Sequence, residues 1–273
     1  GAAGLARAVR GPSSLGAHHV VERYRLGRTD LALSVIGYGA FKIGRNQKVK
    51  YPRPYDLPSD DDAADLLRSL RELGVTYFDT APAYGVSEAR LGGTIGPDAS
   101  CVISTKVGEH FEDGESRYDY GEAAVRTSID RSRAALGRDR LDLVFVHSNG
   151  EDLRIQRETP VVATLESLRA AGAVTAIGFS GKTVEGARAA LDWADALMVE
   201  YHPEDRSHES VLDAATSRGV GIVVKKGLSS GRLDPATAIP FILSHPGVTS
   251  LVIGGLNLDH MRRNLACASL PGS

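Results

Sequence analysis

Cysteine is nearly absent: Cys101 and Cys267 are the only two in 273 residues, far apart and in no CxxC pair. That leaves neither a disulfide framework nor a metal site to read, and it makes a reducing, cytoplasmic setting the expectation. Long apolar runs are missing too, since none approaches the roughly 20 residues of a membrane span. Charge of one sign is not in excess. Lys and Arg number 32 against 34 Asp and Glu, a net of -2 at pH 7, so there is no electrostatic footprint for nucleic acid or an anionic surface. Aromatics make up 6%, and each one found in a loop therefore needs a reason. What remains is ordinary for a folded domain with a sizeable core, with 42% hydrophobic and 24% charged residues.

The opening GAAGLARAVRGPSSLGAHHVVERYR is small, Arg-bearing and poor in acids, as targeting peptides are, but it lacks an apolar h-region. Residues 1–22 are expected to form a loose tail, with His18-His19 a solvated pair in it, and 23–273 a single domain. From residue 35 onward eight short apolar runs recur: SVIGYGAF (34–41), GVTYFD (74–79), CVISTK (101–106), LDLVFVH (141–147), VTAIGFS (174–180), ALMVEY (196–201), GIVVKK (221–226) and SLVIGG (250–255). Each is continuously apolar rather than alternating, which marks a strand covered on both faces, as in a parallel sheet.

Between these runs lie stretches with i, i+3, i+4 spacing at 59–74, 121–137, 159–172, 183–194, 207–219, 234–247 and 257–266. Ser59 suits an N-cap, acids fill the turn after it and Gly74 suits a stop. Pro240 implies a kink in its helix. Strand and helix alternating eightfold over about 235 residues predict a single (β/α)8 TIM barrel with parallel strands. A doubly wound open sheet would want a G-x-G-x-x-G turn after its first strand, and Gly37-Tyr38-Gly39 is a poor match.

In a barrel the strand ends share one rim. Asp79, Lys106 and His147 close the second, third and fourth runs, and Tyr84 follows Asp79 in a Pro- and Gly-containing loop, FDTAPAYG. Each alone reads as a helix cap, a solvated amine or a packed imidazole. Together they form a set able to donate a proton. A phenol is a poor acid at neutral pH unless its anion is stabilised, an ammonium beside it does this, and a carboxylate holds the ammonium.

This order and spacing resemble the aldo-keto reductase superfamily through RYRLGRT, GYGAFKIG, FDTAPAYGVSE, STKVG, LVFVHS, AIGFS, VEYHP and VIGG…RRNL. The resemblance implies a barrel that reduces aldehydes and ketones with a nicotinamide cofactor, NADPH by family habit and NADH as the alternative. It makes Tyr84 the general acid, tuned by Lys106 and Asp79, with His147 positioning a small-molecule carbonyl. It also assigns cofactor contacts to Gly39, Ala40, Phe41, Ser180, Met198, Lys225, Lys226, Gly227, Leu228, Ser229, Gly231, Gly254, His260, Arg263 and Asn264.

Departures from the family pattern cluster at the cofactor. Gly181 stands where many members have Asn, Met198 where they have Gln, and Lys225 where an aromatic stacks on the nicotinamide. Leu256 and His260 stand where many offer Arg to a 2′-phosphate. These departures leave room for a second reading, a nucleotide-binding sensor or partner subunit with little turnover, as the potassium-channel β subunits illustrate. Metal-dependent hydrolysis has little to carry it, because no HxH pair ends the first strand. The loops at 46–58 and 108–121, with Asn149, are expected to border the mouth and set specificity.

Overall fold

A computed structural model of the chain describes residues 21–49 and 54–269. The tail expected over 1–22 therefore lies almost wholly outside the described residues, as does His18-His19. The chain enters through an antiparallel hairpin, β1 (Arg23–Arg25) and β2 (Ala32–Ser34). It continues into β3 (Ile36–Gly39), β4 (Tyr77–Asp79) and β5 (Val102–Val107), then a second hairpin of β6 (Glu109–Glu112) and β7 (Glu115–Tyr118). The remaining strands are β8 (Leu141–His147), β9 (Val174–Ser180), β10 (Ala196–Glu200), β11 (Gly221–Lys225) and β12 (Val248–Gly254). The two hairpins aside, these strands pair in parallel and close into a barrel, β12 returning to β3 through Leu251 opposite Ile36.

All eight apolar runs thus become barrel strands. Helices alternate with them: α1 (Asp60–Glu72), α2 (Ser87–Thr94), α3 (Glu122–Leu136), α4 (Asp152–Glu158), α5 (Val161–Ala170), α6 (Val184–Ala190), α7 (Glu209–Arg218), α8 (Pro235–Ser244) and α9 (Leu258–Ala268). Ser59 caps α1 by accepting from the Asp62 amide at 3.1 Å, and α8 runs on through Pro240. No helix among the described residues is long and apolar enough to cross a membrane.

Two apolar layers follow from the strands being covered on both faces. The outer layer packs strands against helices, and the inner one fills the barrel with Tyr77, Leu143, Phe145, Met198 and Val223. Leu26 and Leu33 from the first hairpin join that inner layer, fully buried, and seal the end opposite the strand termini. Gly37 belongs to this interior, since a Cβ there would meet the Tyr77 ring at 2.5 Å. The Gly37-Tyr38-Gly39 stretch is therefore strand packing and no phosphate turn.

Gly44 does related work at the open end. A Cβ at Gly44 would meet the Tyr84 carbonyl at 2.0 Å and the Ser87 amide at 2.5 Å, both backbone atoms. Gly44→Ala should force the turn carrying Tyr84 outward and cost about 1–3 kcal/mol of stability. Urea unfolding checks this as a lowered midpoint at unchanged slope, and an unmoved midpoint would mean the two loops give way freely.

Candidate active site

The strand register explains why the site assembles. Asp79 pairs with Ser104 across β4 and β5, and side chains two apart on a strand share a face, so Ser104 and Lys106 both turn toward Asp79. Lys106 Nζ donates to Asp79 Oδ1 at 2.9 Å and Oδ2 at 2.7 Å, and to the Thr80 carbonyl at 2.8 Å. These acceptors account for its three N–H groups. Ser104 donates to Asp79 Oδ1 at 2.7 Å and lies 2.8 Å from the Tyr77 hydroxyl. The amine and carboxylate are both buried, at 2% and 5% side-chain exposure. Burial pulls the Lys106 pKa down, yet Asp79 and Tyr84 outweigh it and hold it above the ordinary value.

Tyr84 ends a 3₁₀ turn over Pro82–Tyr84, with Pro at its start and Gly85 after it at φ 60°. The Lys106 ammonium sits 4.7 Å from the centre of the Tyr84 ring. Phe41 meets that ring edge-on at 4.9 Å between centroids, and His147 does so at 6.2 Å. Burial raises the Tyr84 pKa, Lys106 opposes it, and the net shift is upward. The ammonium pulls in the direction the sequence implies, but desolvation wins, and the phenol keeps its proton across the physiological range.

His147 has a neighbour that sequence reasoning missed. Its Nδ1 lies 2.9 Å from Glu109 Oε2 without making a hydrogen bond, a contact that becomes an ion pair when the imidazole is protonated. Burial lowers the His147 pKa, Glu109 works against that, and Lys106 and Lys225 add to it. For Glu109 burial pushes up, and His147, Ser116 and Arg45 more than offset it, leaving the carboxyl at about 2. Glu109 is in place because β6 and β7 fold back on Asp113-Gly114, both at positive φ. A DG pair is a hairpin signal, and it was legible in EHFEDGESRY.

Asp152, also missed, organises the far wall. Fully buried at the start of α4, it binds the Ser148 hydroxyl through Oδ1, while Oδ2 accepts from the Lys182 and Thr183 amides, each at 2.8 Å. This accounts for one departure: a Cβ at Gly181 would meet Asp152 Oδ2 at 2.6 Å and the Phe179 ring at 2.7 Å. Asn does not fit there. Lys225 takes the space beyond, donating to Ser180 Oγ at 3.0 Å and to the Gly181 carbonyl at 2.8 Å.

One cleft of about 1390 Å³ connects these groups to the far rim, and Asp79, Tyr84, Lys106 and His147 all line it. Gly39, Phe41, Ser180, Met198, Lys225 and Lys226 line it as well, as do Gly227, Leu228, Gly231 and Gly254. His260, Arg263 and Asn264 complete the distal end. Two expected contacts do not reach it. Ala40 is fully buried, its carbonyl taken by Ser87, and Ser229 turns its hydroxyl to Arg232 at 3.0 Å while Ser230 faces the cleft.

Glu109→Gln should remove the carboxylate that favours the imidazolium and move the His147 titration further down in pH. Histidine-detected NMR titration reads the midpoint directly, and an unmoved midpoint would detach Glu109 from His147.

The comparisons with known proteins agree with the barrel. The family model described as Aldo/keto reductase family matches residues 35–237. A D-threo-aldose 1-dehydrogenase from a Pseudomonas species is 28% identical, covering 88% of this chain and 91% of its own. An L-galactose dehydrogenase from Arabidopsis thaliana is 27% identical over 78% of this chain and 67% of its own. A solved structure from Pseudomonas aeruginosa, itself assigned to the aldo-keto reductases, is 41% identical with a TM-score of 0.84, covering 92% and 95% of the two chains. With the model spanning well over half of the sequence, the chain belongs to the aldo/keto reductase family.

Proposed function

We propose that this member of an oxidoreductase family reduces aldehyde or ketone carbonyls of small molecules to alcohols, using NADPH, with NADH as the weaker partner. The observation that carries the proposal is the convergence of the Lys106–Asp79 pair, the Tyr84 phenol and the His147 imidazole on the floor of one cleft. Relatives named for aldoses, L-galactose, pyridoxal and methylglyoxal all act on carbonyl compounds or their cyclic forms, which supports that substrate class.

The cleft also fits a nicotinamide dinucleotide. Lys182, Lys226 and Arg263 supply cations along it. Lys226, Ser229, Ser230 and Gly231 all have positive φ, a backbone run suited to cradling phosphate. A Cβ at Gly231 or Gly255 would meet nothing within 4 Å, so backbone faces open space. Asn264 is buried against the cleft with no partner for its amide among the described hydrogen bonds, which suits an adenine edge.

The bound dinucleotide supplies the hydride. Tyr84 donates its proton to the carbonyl oxygen as negative charge develops there, and Lys106 stabilises the phenolate left behind. Asp79 keeps the ammonium in place. His147 orients the carbonyl, with Glu109 turning its ring. Burial keeps the Tyr84 phenol protonated and so able to act as the donor.

A second reading, nucleotide sensing with little turnover, draws on Lys225 and Gly181, which replace two groups that relatives present to the nicotinamide. Tyr84→Phe separates the readings. Carbonyl reduction should fall at least about 10²-fold, while nucleotide binding by calorimetry stays intact. Near-normal turnover in that variant would end the assignment of Tyr84, and no turnover in the parent protein across an aldehyde and ketone panel would favour the sensor.

For the 2′-phosphate, Arg263 is a better candidate than Arg262, whose guanidinium is engaged by Asp259 at 2.9 Å. Arg263→Ala should weaken NADPH binding by about ten- to a hundredfold and leave NADH unchanged, whereas His260→Ala should do less. Equal losses for both nucleotides would place the arginine away from the phosphate.

A further inference from the structure

Among the lysines that line the cleft, three have surroundings that differ in kind. Lys106 is pinned between the two oxygens of Asp79. Lys226 is 62% exposed and pairs with Glu200 at 3.3 Å. Lys225 has no carboxylate within bonding distance. Its amine meets only neutral oxygens, Ser180 Oγ and the Gly181 carbonyl, on a part-buried wall of the cleft. Nothing in the proton transfer described above uses it.

We propose that Lys225 is a nucleophilic amine that captures aldehydes in this cleft as a reversible imine. The amine lone pair attacks the aldehyde carbon, forming a C–N bond while the carbonyl electron pair moves to oxygen. The two amine hydrogens then leave with that oxygen as water as the C=N bond forms. A deprotonated amine is required, and several features favour one. Burial has the largest influence on its pKa, Lys226 and Lys106 add to it, and Asp152 and Glu200 oppose, which together bring Lys225 down to about 7. Lys225 also acts on His147, lowering its pKa, so the amine lies within electrostatic reach of the carbonyl-handling end. Ser180, opposite His147 in the β8–β9 register, ties the two together. A cleft that admits carbonyl compounds therefore presents them with an amine that no carboxylate holds as an ammonium, and an imine there would occupy the nicotinamide end of the cleft.

Trapping with borohydride tests this on the intact protein without any nucleotide, so the outcome is independent of the proposed reduction. The protein is incubated with pyridoxal 5′-phosphate, reduced, digested and mapped by tandem mass spectrometry. The label is expected on Lys225, at least tenfold above Lys106 and Lys226, and lost in Lys225→Met but kept in Lys226→Met. From a pKa of about 7, labelling should rise about tenfold between pH 6 and 8 and then level off. An ordinary lysine near pKa ~10.4 would rise about a hundredfold over that interval and keep rising. Label spread over surface lysines, label on Lys226 in place of Lys225, or a yield still climbing beyond pH 9 would each overturn the proposal. Because the map on the unmutated protein locates the adduct by itself, a variant that fails to fold does not decide the matter.

Discussion

The buried Lys106–Asp79 pair is the constraint on which the rest of the site depends. Two charges removed from water are tolerable only if their bonds are satisfied, and losing one partner of such a pair costs roughly 3–5 kcal/mol. Here Thr80, Ser104 and, behind it, Tyr77 complete the shell. Meeting those demands fixes the register of β4 against β5 and the turn after β4, because the Thr80 carbonyl is itself an acceptor. Tyr84, four residues on, is thereby delivered to the ammonium's other side. The interaction that would be expensive to break is also the one that places the phenol proposed as proton donor, so stability and the proposed chemistry draw on the same residues.

Barrel geometry does the remaining gathering. Parallel strands end on one rim, so Asp79, Lys106, His147 and Lys225 meet although they span much of the sequence. What the rim can hold is limited by space, and glycines show where it has run out. Gly181 and Gly186 both leave room for Asp152, whose Cβ a side chain at Gly186 would meet at 2.2 Å. Once Asp152 is committed to the Ser148 hydroxyl and the amides after β9, an Asn at 181 has no place. The departure from the family pattern reflects a different wall rather than a missing one.

The barrel was legible because its strands are apolar on both faces and its longer helices carry caps and periodic stripes. The elements that escaped are those in which period and propensity carry little signal. α2 holds Gly92 and Gly93 within eight residues, and Gly92 is there because a Cβ would meet the Ala135 carbonyl at 1.9 Å, a tertiary reason invisible in a local window. α4 has only seven residues, too few for a hydrophobic period to declare itself. The Glu109 hairpin was readable from its DG turn, but its consequence, a carboxylate against His147, needed the barrel to bring β8 alongside. Asp79, Tyr84, Lys106 and His147 were legible as a cluster for the opposite reason: each ends a strand or sits in the loop after one, and the fold class alone tells where such residues point.

Lys106 and Lys225 carry the same side chain into the same cleft and are driven in opposite directions. Desolvation is the largest influence on both and disfavours the ammonium in both. A carboxylate within hydrogen-bond distance reverses that outcome for Lys106, whereas Ser180 and the Gly181 carbonyl offer Lys225 dipoles but no opposite charge. Each ammonium also lies in the other's field, so the more firmly Asp79 holds Lys106 charged, the harder it becomes for Lys225 to keep a proton. The ammonium that supports Tyr84 thus also works, from the opposite wall, against protonation of Lys225. Neither state could be assigned from the residue type, because both are set by the burial and the neighbouring charges that folding brings about.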